Sequence, residues 1–262
     1  MLTSTNAPGG PAWLDLAATD IATTAAFYTN LFGWSFKSFS PEPNSYGVFL
    51  LDGKTVAAIG PHTEESTTPS WTIYFHTADA DATAKAVSAA GGTVRFEPMD
   101  VSPSGRMAGF TDPAGGQFAV WQGGEIPGLE TYNVPGSMSW LELYSTDADA
   151  AKSFYRTVFE WDTVDMPAGP DMTYTIASPK GGGQTTMHGG MMQLGEANLA
   201  AGSTSEWHPY FEVADCDAAY AKALELGATE LIAPMDTPMA GRTAMVTDPF
   251  GAPFALITSL PV

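Results

Sequence analysis

The chain of 262 residues is poor in cysteine and in basic side chains. Its single cysteine, Cys216, excludes an intramolecular disulfide framework and any zinc site built from several cysteines. Ten basic residues against 29 acidic ones give a formal charge of −19. Because a polyanion of this size repels phosphate backbones, we expect no nucleic-acid partner, and we expect neutral or cationic ligands rather than anionic ones.

Long apolar segments are also missing. No apolar run reaches the ~18 residues that a membrane-spanning helix needs, so we expect no membrane partner. The segment from Met1 to Pro11 has neither a basic cluster nor the apolar stretch of a secretory signal. These features predict a cytoplasmic protein.

Internal repetition is the most informative feature that the sequence does have. The segment Trp13-Leu-Asp-Leu recurs 127 residues later as Trp140-Leu-Glu-Leu, and Asp112-Pro-Ala-Gly recurs 136 residues later as Asp248-Pro-Phe-Gly. The chain is therefore predicted to be a duplicated module whose second copy carries nine extra residues within Gly181–Leu194. The predicted boundaries are a tail at 1–10, a first module at 11–122, a linker at 123–137 and a second module at 138–260.

Each module divides again into two halves that share the order strand, helix, strands. Large apolar residues alternate at a period of two along the predicted strands. An aspartate precedes each predicted helix: Asp20, Asp79, Asp147 and Asp215. Three of them begin an Asp-x-Asp pair, which we interpret as helix capping rather than metal binding. The sequence thus predicts an α+β chain of four βαβββ units.

Two longer motifs occur once in each module. Asp-(x)6-Phe-Tyr-(x)3-Phe-(Gly/Glu)-Trp stands at Asp20–Trp34 and Asp147–Trp161, and Gly-Arg-(x)5-Asp-Pro-x-Gly-(x)2-Phe-Ala stands at Gly105–Ala119 and Gly241–Ala255. In these motifs the chain resembles the vicinal oxygen chelate superfamily, which includes glyoxalase I, bleomycin-resistance proteins and extradiol dioxygenases. It is similar to a two-module glyoxalase-like/hydroxylase subgroup of actinobacteria. The resemblance implies two curled, incompletely closed mixed sheets, each around a cleft.

Enzymes of this superfamily hold a divalent ion in the cleft, and the resemblance implies where the ligands would stand. The first position, seven residues before a capping aspartate, holds Trp13 and Trp140. The second position, six residues before the aspartate of the second half, holds Ile73 and Pro209. The third position, four residues after the last turn glycine, holds Ala119 and Ala255. None of these side chains coordinates a metal. We therefore expect no metal and no other cofactor.

Aromatic and thioether side chains dominate the strands that are predicted to line the clefts. Alternation directs these side chains inward: Trp13, Trp71, Trp121, Trp140, Tyr144, Trp207 and Phe211, with Met187, Met191 and Met192 added in the second module. Such a surface suits a small aromatic or hydrophobic ligand, bound by ring stacking and sulfur–aromatic contact. The alternative is that these residues pack a core.

Three polar residues are candidates for catalysis. Glu142 and Asp15 take equivalent places on the first strands of their modules, and His188 is expected on a cleft strand. A Glu142–His188 pair would be an acid–base couple, half of a metal site, or a buried hydrogen-bonded pair. The other histidines are expected to point away from the clefts: His62, His76 and His208. The repeated arginines are expected to form structural salt bridges: Arg106 and Arg242.

Two functions fit these features. The favoured one is a metal-independent binding protein of the bleomycin-resistance type, which sequesters or carries a hydrophobic or aromatic natural product or drug in antibiotic resistance or biosynthesis. The alternative is a glyoxalase-like lyase, or a hydroxylase or oxygenase-accessory enzyme of secondary metabolism, with a cleft carboxylate or His188 as general base. Because the duplication places two modules in one chain, we expect a monomer, with a homodimer as the alternative.

Overall fold

A computed structural model describes residues 7–62, 68–169 and 172–260. The first module contains β1 (Pro11–Ala18), α1 (Ile21–Phe32), β2 (Ser35–Ser38), β3 (Gly47–Leu51), β4 (Lys54–Pro61), β5 (Trp71–His76), α2 (Ala80–Ala89), β6 (Thr93–Val101), β7 (Gly105–Thr111) and β8 (Gln117–Gly123). The second contains β9 (Met138–Ser145), α3 (Ala148–Phe159), β10 (Asp162–Pro167), β11 (Thr173–Ser178), β12 (Gly189–Gln193), α4 (Glu196–Ala200), β13 (Glu206–Glu212), α5 (Cys216–Glu225), β14 (Thr229–Thr237), β15 (Gly241–Thr247) and β16 (Pro253–Ser259). None of the helices in these ranges has the length and apolar character that crossing a bilayer requires.

The strands form two mixed sheets of eight strands with the same order. One sheet runs β2-β3-β4-β1-β5-β8-β7-β6, and the other runs β10-β11-β12-β9-β13-β16-β15-β14. In each, the first strand of the module pairs in parallel with the fourth, which places Asp15 beside Ala58 and Glu142 beside Gly190. Neither sheet is closed. The predicted α+β architecture of tandem βαβββ units is confirmed.

Aspartates begin the four longer helices, as the capping interpretation predicts. The side chains of Asp20, Asp79, Asp147 and Asp215 each accept a hydrogen bond from the backbone N–H three residues further on. The second acid of two Asp-x-Asp pairs has another role, because Arg106 donates to Asp81 and Arg242 donates to Asp217. The expected salt bridges of both arginines are therefore confirmed, and they join the helices to β7 and β15.

The two modules differ most between their third and fourth strands. In the first module Asp52 and Gly53 alone join β3 to β4, whereas residues 179–188 join β11 to β12 and include a short 3-10 turn at Gln184–Thr186. The extra residues thus lie at the start of the stretch predicted for them. The end of that stretch, Gly189–Gln193, is β12 itself.

Residue contacts divide the chain into two compact units that do not coincide with the two sequence modules. The first unit consists of Met1–Trp13, Thr72–Gly128 and Trp140–Trp207. The second consists of Leu14–Trp71, Leu129–Ser139 and His208–Val262. Each unit therefore combines one half of the first module with the opposite half of the second.

A buried tyrosine of the repeated Phe-Tyr motif lies at the centre of each unit. In the first unit Trp207 Nε1 donates to the hydroxyl of Tyr155 at 2.8 Å, and this hydroxyl donates to Asp112 Oδ2 at 3.0 Å. In the second unit Trp71 Nε1 donates to the hydroxyl of Tyr28 at 3.2 Å, and this hydroxyl donates to Asp248 Oδ2 at 3.2 Å. We call these the Trp–Tyr–Asp triads. They link the Phe-Tyr motif of one module to the Asp-Pro-x-Gly turn of the other, which explains why both motifs are repeated.

Candidate functional site

The central strands of each sheet have a core face, which packs on the aromatic residues around Tyr28 or Tyr155, and an opposite face. We call the opposite face the cleft face, because the sequence predicts a ligand cleft there. On β9 the alternation separates the buried side chains of Leu141 and Leu143 from those of Trp140, Glu142 and Tyr144. Leu143 lies toward the Asp112 turn, within reach of Gly116. The other three side chains therefore share the cleft face of the second module.

Glu142 is the centre of a hydrogen-bonded cluster on this face. The hydroxyl of Tyr174 on β11 donates to Glu142 Oε2 at 2.7 Å. The same hydroxyl accepts a hydrogen bond from Trp140 Nε1 at 2.8 Å. Indole, phenol and carboxyl groups thus form a chain in which the aromatic rings are held in fixed orientations. We call this chain the Glu142 cluster.

Gly190 makes room for this cluster. It lies directly beside Glu142 in the parallel pairing of β12 with β9, and Tyr174 reaches across it from β11. A Cβ atom on Gly190 would come within 2.0 Å of the Tyr174 hydroxyl oxygen. Glycine is therefore the residue that lets the phenol reach the carboxyl group.

The carboxyl group of Glu142 is buried, with 4% of the residue exposed. Its Oε1 atom is inaccessible to solvent and has no hydrogen-bond partner among the described residues. Burial raises the pKa of Glu142 from its ordinary value of 4.5 to about 8, against the opposite effect of the hydrogen bond from Tyr174 and of the nearby indole N–H of Trp140. Glu142 is therefore mostly protonated at neutral pH and can both donate and take up a proton.

The cleft face of the first module has different chemistry at the equivalent places. Asp15 replaces Glu142, and Ala58 stands beside it where the second module has Gly190. Trp13 and Trp121 stack there with ring centroids 6.2 Å apart and an angle of 25° between the planes. Where the second module has Glu142 and Gly190, the first module therefore has a shorter carboxylate side chain and a larger neighbour, beside two stacked indole rings.

The candidate ligand-binding side chains divide between the two faces. The cleft face carries Trp13, Trp121, Trp140, Tyr144 and Met192. The expected inward direction is wrong for four others, which lie on the core face: Trp71, Trp207, Phe211 and Met191. Trp71 and Trp207 donate their indole N–H groups to the triad tyrosines. The Met191 side chain is fully buried beside Leu143. Met187 lies between the 3-10 turn and β12, partly exposed.

His188 does not lie on the cleft face. Its ring packs on Trp161 with centroids 4.8 Å apart, and on Phe75 at 6.1 Å, within the core of the first unit. Burial lowers the pKa of His188 to about 3, so the imidazole is neutral. The predicted Glu142–His188 couple is therefore not formed: Glu142 bonds to Tyr174, while the histidine belongs to an aromatic core.

Two histidines that were expected to point away from the clefts do face them. His76 pairs with Trp121 in the parallel ladder of β5 and β8, and so shares its face. His208 lies two residues before Tyr210, which pairs with Ala255 on β16. The pairing of β5 with β8 and of β13 with β16 shows which way these histidines point. The alternation of residues along one strand does not show which of its two faces is the cleft face.

The register also tests whether the residues of this chain fit a metal ion. Ile73 and Pro209, which stand six residues before the aspartates of the second halves, lie in phase with the core-face side chains. The expected second ligand position therefore lies on the core face and not on the cleft face. His208 is a donor on the cleft face, but Trp140 and Ala255 have none to add at the other family positions. Within residues 7–62, 68–169 and 172–260, no three His, Cys, Asp or Glu side chains are grouped to hold a metal. The donor set does not fit the metal site of the enzymes.

The repeated motifs, the sheet order and the cleft-face geometry can now be compared with known proteins. The profile described as Glyoxalase/Bleomycin resistance protein/Dioxygenase superfamily matches residues 10–120 and again residues 137–256. The chain belongs to this superfamily. The two matches cover both modules, which confirms the resemblance seen in the repeated motifs.

Several proteins are similar to this chain over nearly its whole length. Anthracycline biosynthesis protein DauV from Streptomyces sp. (strain C5) is 40% identical over 266 residues, covering 96% of this chain and 94% of DauV. Putative glyoxylase CFP32 from Mycobacterium tuberculosis (strain CDC 1551 / Oshkosh) is 34% identical, covering 97% and 96%. Among solved structures, the 2,3-dioxygenase LapB from Pseudomonas sp. KL28 has a TM-score of 0.64 at 13% identity, covering 97% and 93%. This last likeness concerns the fold alone.

Proposed function

We propose that this protein binds a planar aromatic small molecule on the cleft face of its second module, without a metal ion, and that Glu142 makes the polar contact with it. The observation that carries the proposal is the Oε1 atom of Glu142, which is buried and has no partner among the described residues. Burying a polar atom without a hydrogen bond costs about 1–3 kcal/mol. A ligand that supplies the missing partner would offset this cost.

The surroundings of Glu142 support an aromatic ligand. Trp140 and Tyr144 flank the carboxyl group on the same strand face, and Met192 lies beside Tyr144 on β12. The hydrogen bond from Trp140 to Tyr174 holds the indole ring in one orientation, so little conformational entropy is lost when a flat molecule stacks on it. A thioether adds an adaptable apolar contact.

The name of one relative supports the same class of ligand. DauV is called an anthracycline biosynthesis protein, and anthracyclines are fused-ring aromatic compounds. We infer that this chain acts on, or carries, a fused-ring aromatic natural product. A metal-independent mode fits the cleft-face residues at the family's ligand positions, where Trp140 and Ala255 stand.

Tryptophan fluorescence tests the proposal directly. Titration with 1,8-dihydroxyanthraquinone is expected to quench the fluorescence, with a Kd that excess EDTA does not change. Trp140→Phe is expected to weaken binding about tenfold, which corresponds to ~1.4 kcal/mol of lost stacking and orientation. The matched control is Trp13→Phe, at the same position of the first module, which is expected to keep the wild-type Kd. Absence of binding, or loss of binding in Trp13→Phe alone, would contradict the proposal.

Acid–base catalysis on the bound molecule is the second candidate, and the pKa of Glu142 favours it. A group that titrates at about 8 holds both protonation states in useful amounts near neutral pH. Glu142 as a carboxylate would remove a proton from a ring carbon that is conjugated with a carbonyl through the aromatic system, and the resulting carboxylic acid would return a proton to the same carbon of the enolate. The test is exchange of the methylene protons of anthrone with deuterium in D2O. Exchange that Glu142→Gln abolishes without loss of anthrone binding supports catalysis, and equal exchange in the variant excludes Glu142 as the base.

A further inference from the structure

The two carboxyl oxygens of Glu142 have different surroundings, and this difference specifies the chemistry of the ligand. Trp140 Nε1 is only a donor, so its hydrogen bond occupies a lone pair of the Tyr174 hydroxyl oxygen. The single hydroxyl proton of Tyr174 is then directed to Glu142 Oε2. Oε2 is therefore an acceptor, and a proton carried by the carboxyl group resides on Oε1.

The setting of Glu142 favours its neutral form. Among the described ion pairs none includes Glu142. Tyr174, which donates to Glu142, and Trp140, which donates to Tyr174, are both uncharged. An isolated carboxylate in a buried setting is so costly that the group takes up a proton instead. The raised pKa of Glu142 agrees with this conclusion.

We infer that the ligand presents a hydrogen-bond acceptor, a carbonyl or quinone oxygen at the edge of its ring system, to the Oε1–H of a neutral Glu142. The inference rests on the proposed function and specifies its ligand class. It differs from the expectation drawn from net charge, which includes cationic ligands. The acidic surface acts at long range, whereas the atom that meets the ligand is a donor.

The strand geometry is consistent with an oxygen at the ring edge. Trp140 and Glu142 are two residues apart on β9, and side chains at such positions stand ~7 Å apart on the same face. Because Oε1 is inaccessible to solvent, a fused aromatic ring that stacks on the indole reaches the carboxyl group with a substituent at its rim only when the side chains over Oε1 move aside. A carbonyl oxygen in the plane of the ring meets this requirement.

Two flat probes of similar size distinguish an acceptor from a cation. The first is 1,8-dihydroxyanthraquinone, which presents a quinone oxygen, and the second is 9-aminoacridine, which is a cation at neutral pH. Both are titrated at physiological salt, which screens the attraction of the acidic surface for the cation. The quinone is expected to bind at least about tenfold more tightly than the aminoacridine.

Variants at Glu142 identify the donor. Glu142→Gln keeps an uncharged side chain in which the amide oxygen accepts from Tyr174 and the amide N–H replaces Oε1–H, so it is expected to bind the quinone within about threefold of wild type. Glu142→Ala removes the donor and is expected to weaken quinone binding at least about tenfold. Asp15→Ala, the matched change in the first module, is expected to leave both affinities unchanged.

The outcomes separate the inference from the proposed function. Tighter binding of 9-aminoacridine, lost in Glu142→Gln, would mean that the carboxylate is charged; the inference would fail while aromatic binding stood. Unchanged quinone binding in Glu142→Ala would also overturn the inference. Failure of both probes to bind would overturn the proposed function together with it. Infrared difference spectra of wild type against Glu142→Gln give a readout without ligand: a carboxylic-acid C=O band at pH 7 is expected, and a carboxylate band would contradict it.

Discussion

The molecule contains two kinds of Trp–Tyr–carboxylate arrangement, and they differ in how completely the carboxyl group is paired. In the Trp–Tyr–Asp triad of the first unit, Asp112 Oδ1 accepts from the backbone N–H groups of Ala114 and Gly116, and Oδ2 accepts from Tyr155. The triad of the second unit repeats this pattern around Asp248. In the Glu142 cluster one oxygen is paired and the other is not.

The comparison separates features that serve the fold from the feature that we propose for a ligand. A triad that recurs in both units, with every carboxyl oxygen paired, stabilises the packing of each unit and needs nothing from outside. The Glu142 cluster differs from the equivalent part of the first module in two residues, because Asp15 and Ala58 stand where the second module has Glu142 and Gly190. Its incomplete pairing has a cost that folding alone does not require. Departure from the internal repeat is thus a guide to function that one chain provides by itself.

The largest expected effect comes from breaking a triad. Asp112→Ala leaves two backbone N–H groups and the Tyr155 hydroxyl buried without an acceptor, and Asp248→Ala does the same in the second unit. Each change is expected to lower the free energy of unfolding by about 3 kcal/mol or more. Urea denaturation measures the loss. A change below about 1 kcal/mol in either variant would show that the triads are not structural.

The next effect comes from filling the space beside Glu142. Gly190→Ala places a methyl group against the Tyr174 hydroxyl and is expected to cost about 1–3 kcal/mol, with loss of quinone binding because the phenol is displaced from Glu142. The control is Gly195→Ala, where a Cβ atom meets nothing within 4 Å. Denaturation and fluorescence titration follow both variants. Wild-type binding in Gly190→Ala would separate the Glu142 cluster from the ligand site.

An effect that is smaller per pH unit, and graded with pH, comes from the ionisation of Glu142. Its pKa is raised to about 8 by burial and returns to about 4.5 on unfolding, so the unfolded chain binds fewer protons between these values. The stabilising contribution of neutral Glu142 is complete below pH 4.5 and is lost as the pH rises toward about 8, by up to ~1.4 kcal/mol per pH unit. Glu142→Gln removes this slope. Denaturation of both proteins from pH 5 to 8 measures it, and parallel curves would contradict the assignment.

The smallest effect is expected at the repeated salt bridges. Arg106 and Arg242 make exposed ion pairs with aspartates on α2 and α5 and on the neighbouring strands. Because water and salt screen such pairs, Arg106→Ala and Arg242→Ala are expected to lower thermal stability only slightly and equally, and less at high salt. Calorimetry at two salt concentrations measures this. A large loss of thermal stability in one variant alone would show that this arginine has a role that the equivalent arginine of the other module does not share.

Local features of the fold could be predicted from the sequence, because each depends on residues that are close along the chain. The capping aspartates and the repeat itself are of this kind. The direction of Trp71 and Phe211 could not be predicted, because apolar residues occupy both faces of their strands and only pairing with β8 and β16 separates the faces. His188 precedes β12 after the 3-10 turn, where strand alternation does not apply.

The candidate site shows the same division. Glu142 stands out in the sequence as a carboxylate on an apolar strand, and Trp140 follows from the repeat. Tyr174 does not, because it reaches the carboxyl group from a strand that is separated from β9 by β12. The pair Gly189-Gly190 within a strand was the available signal, since glycine in a strand interior marks a place where another group approaches closely.

The composition of the two units has a consequence for how the chain acquires its structure during synthesis. The triad hydrogen bond between Asp112 and Tyr155 joins residues 43 positions apart, whereas that between Tyr28 and Asp248 joins residues 220 positions apart. The central part of the chain can thus form the core around Tyr155 before synthesis is complete. The core around Tyr28 can form only after the last strands have left the ribosome. Pulse-labelled chains are therefore expected to gain protease resistance from the middle outwards, and a stop codon before β16 should leave one core formed and the other exposed to chaperones.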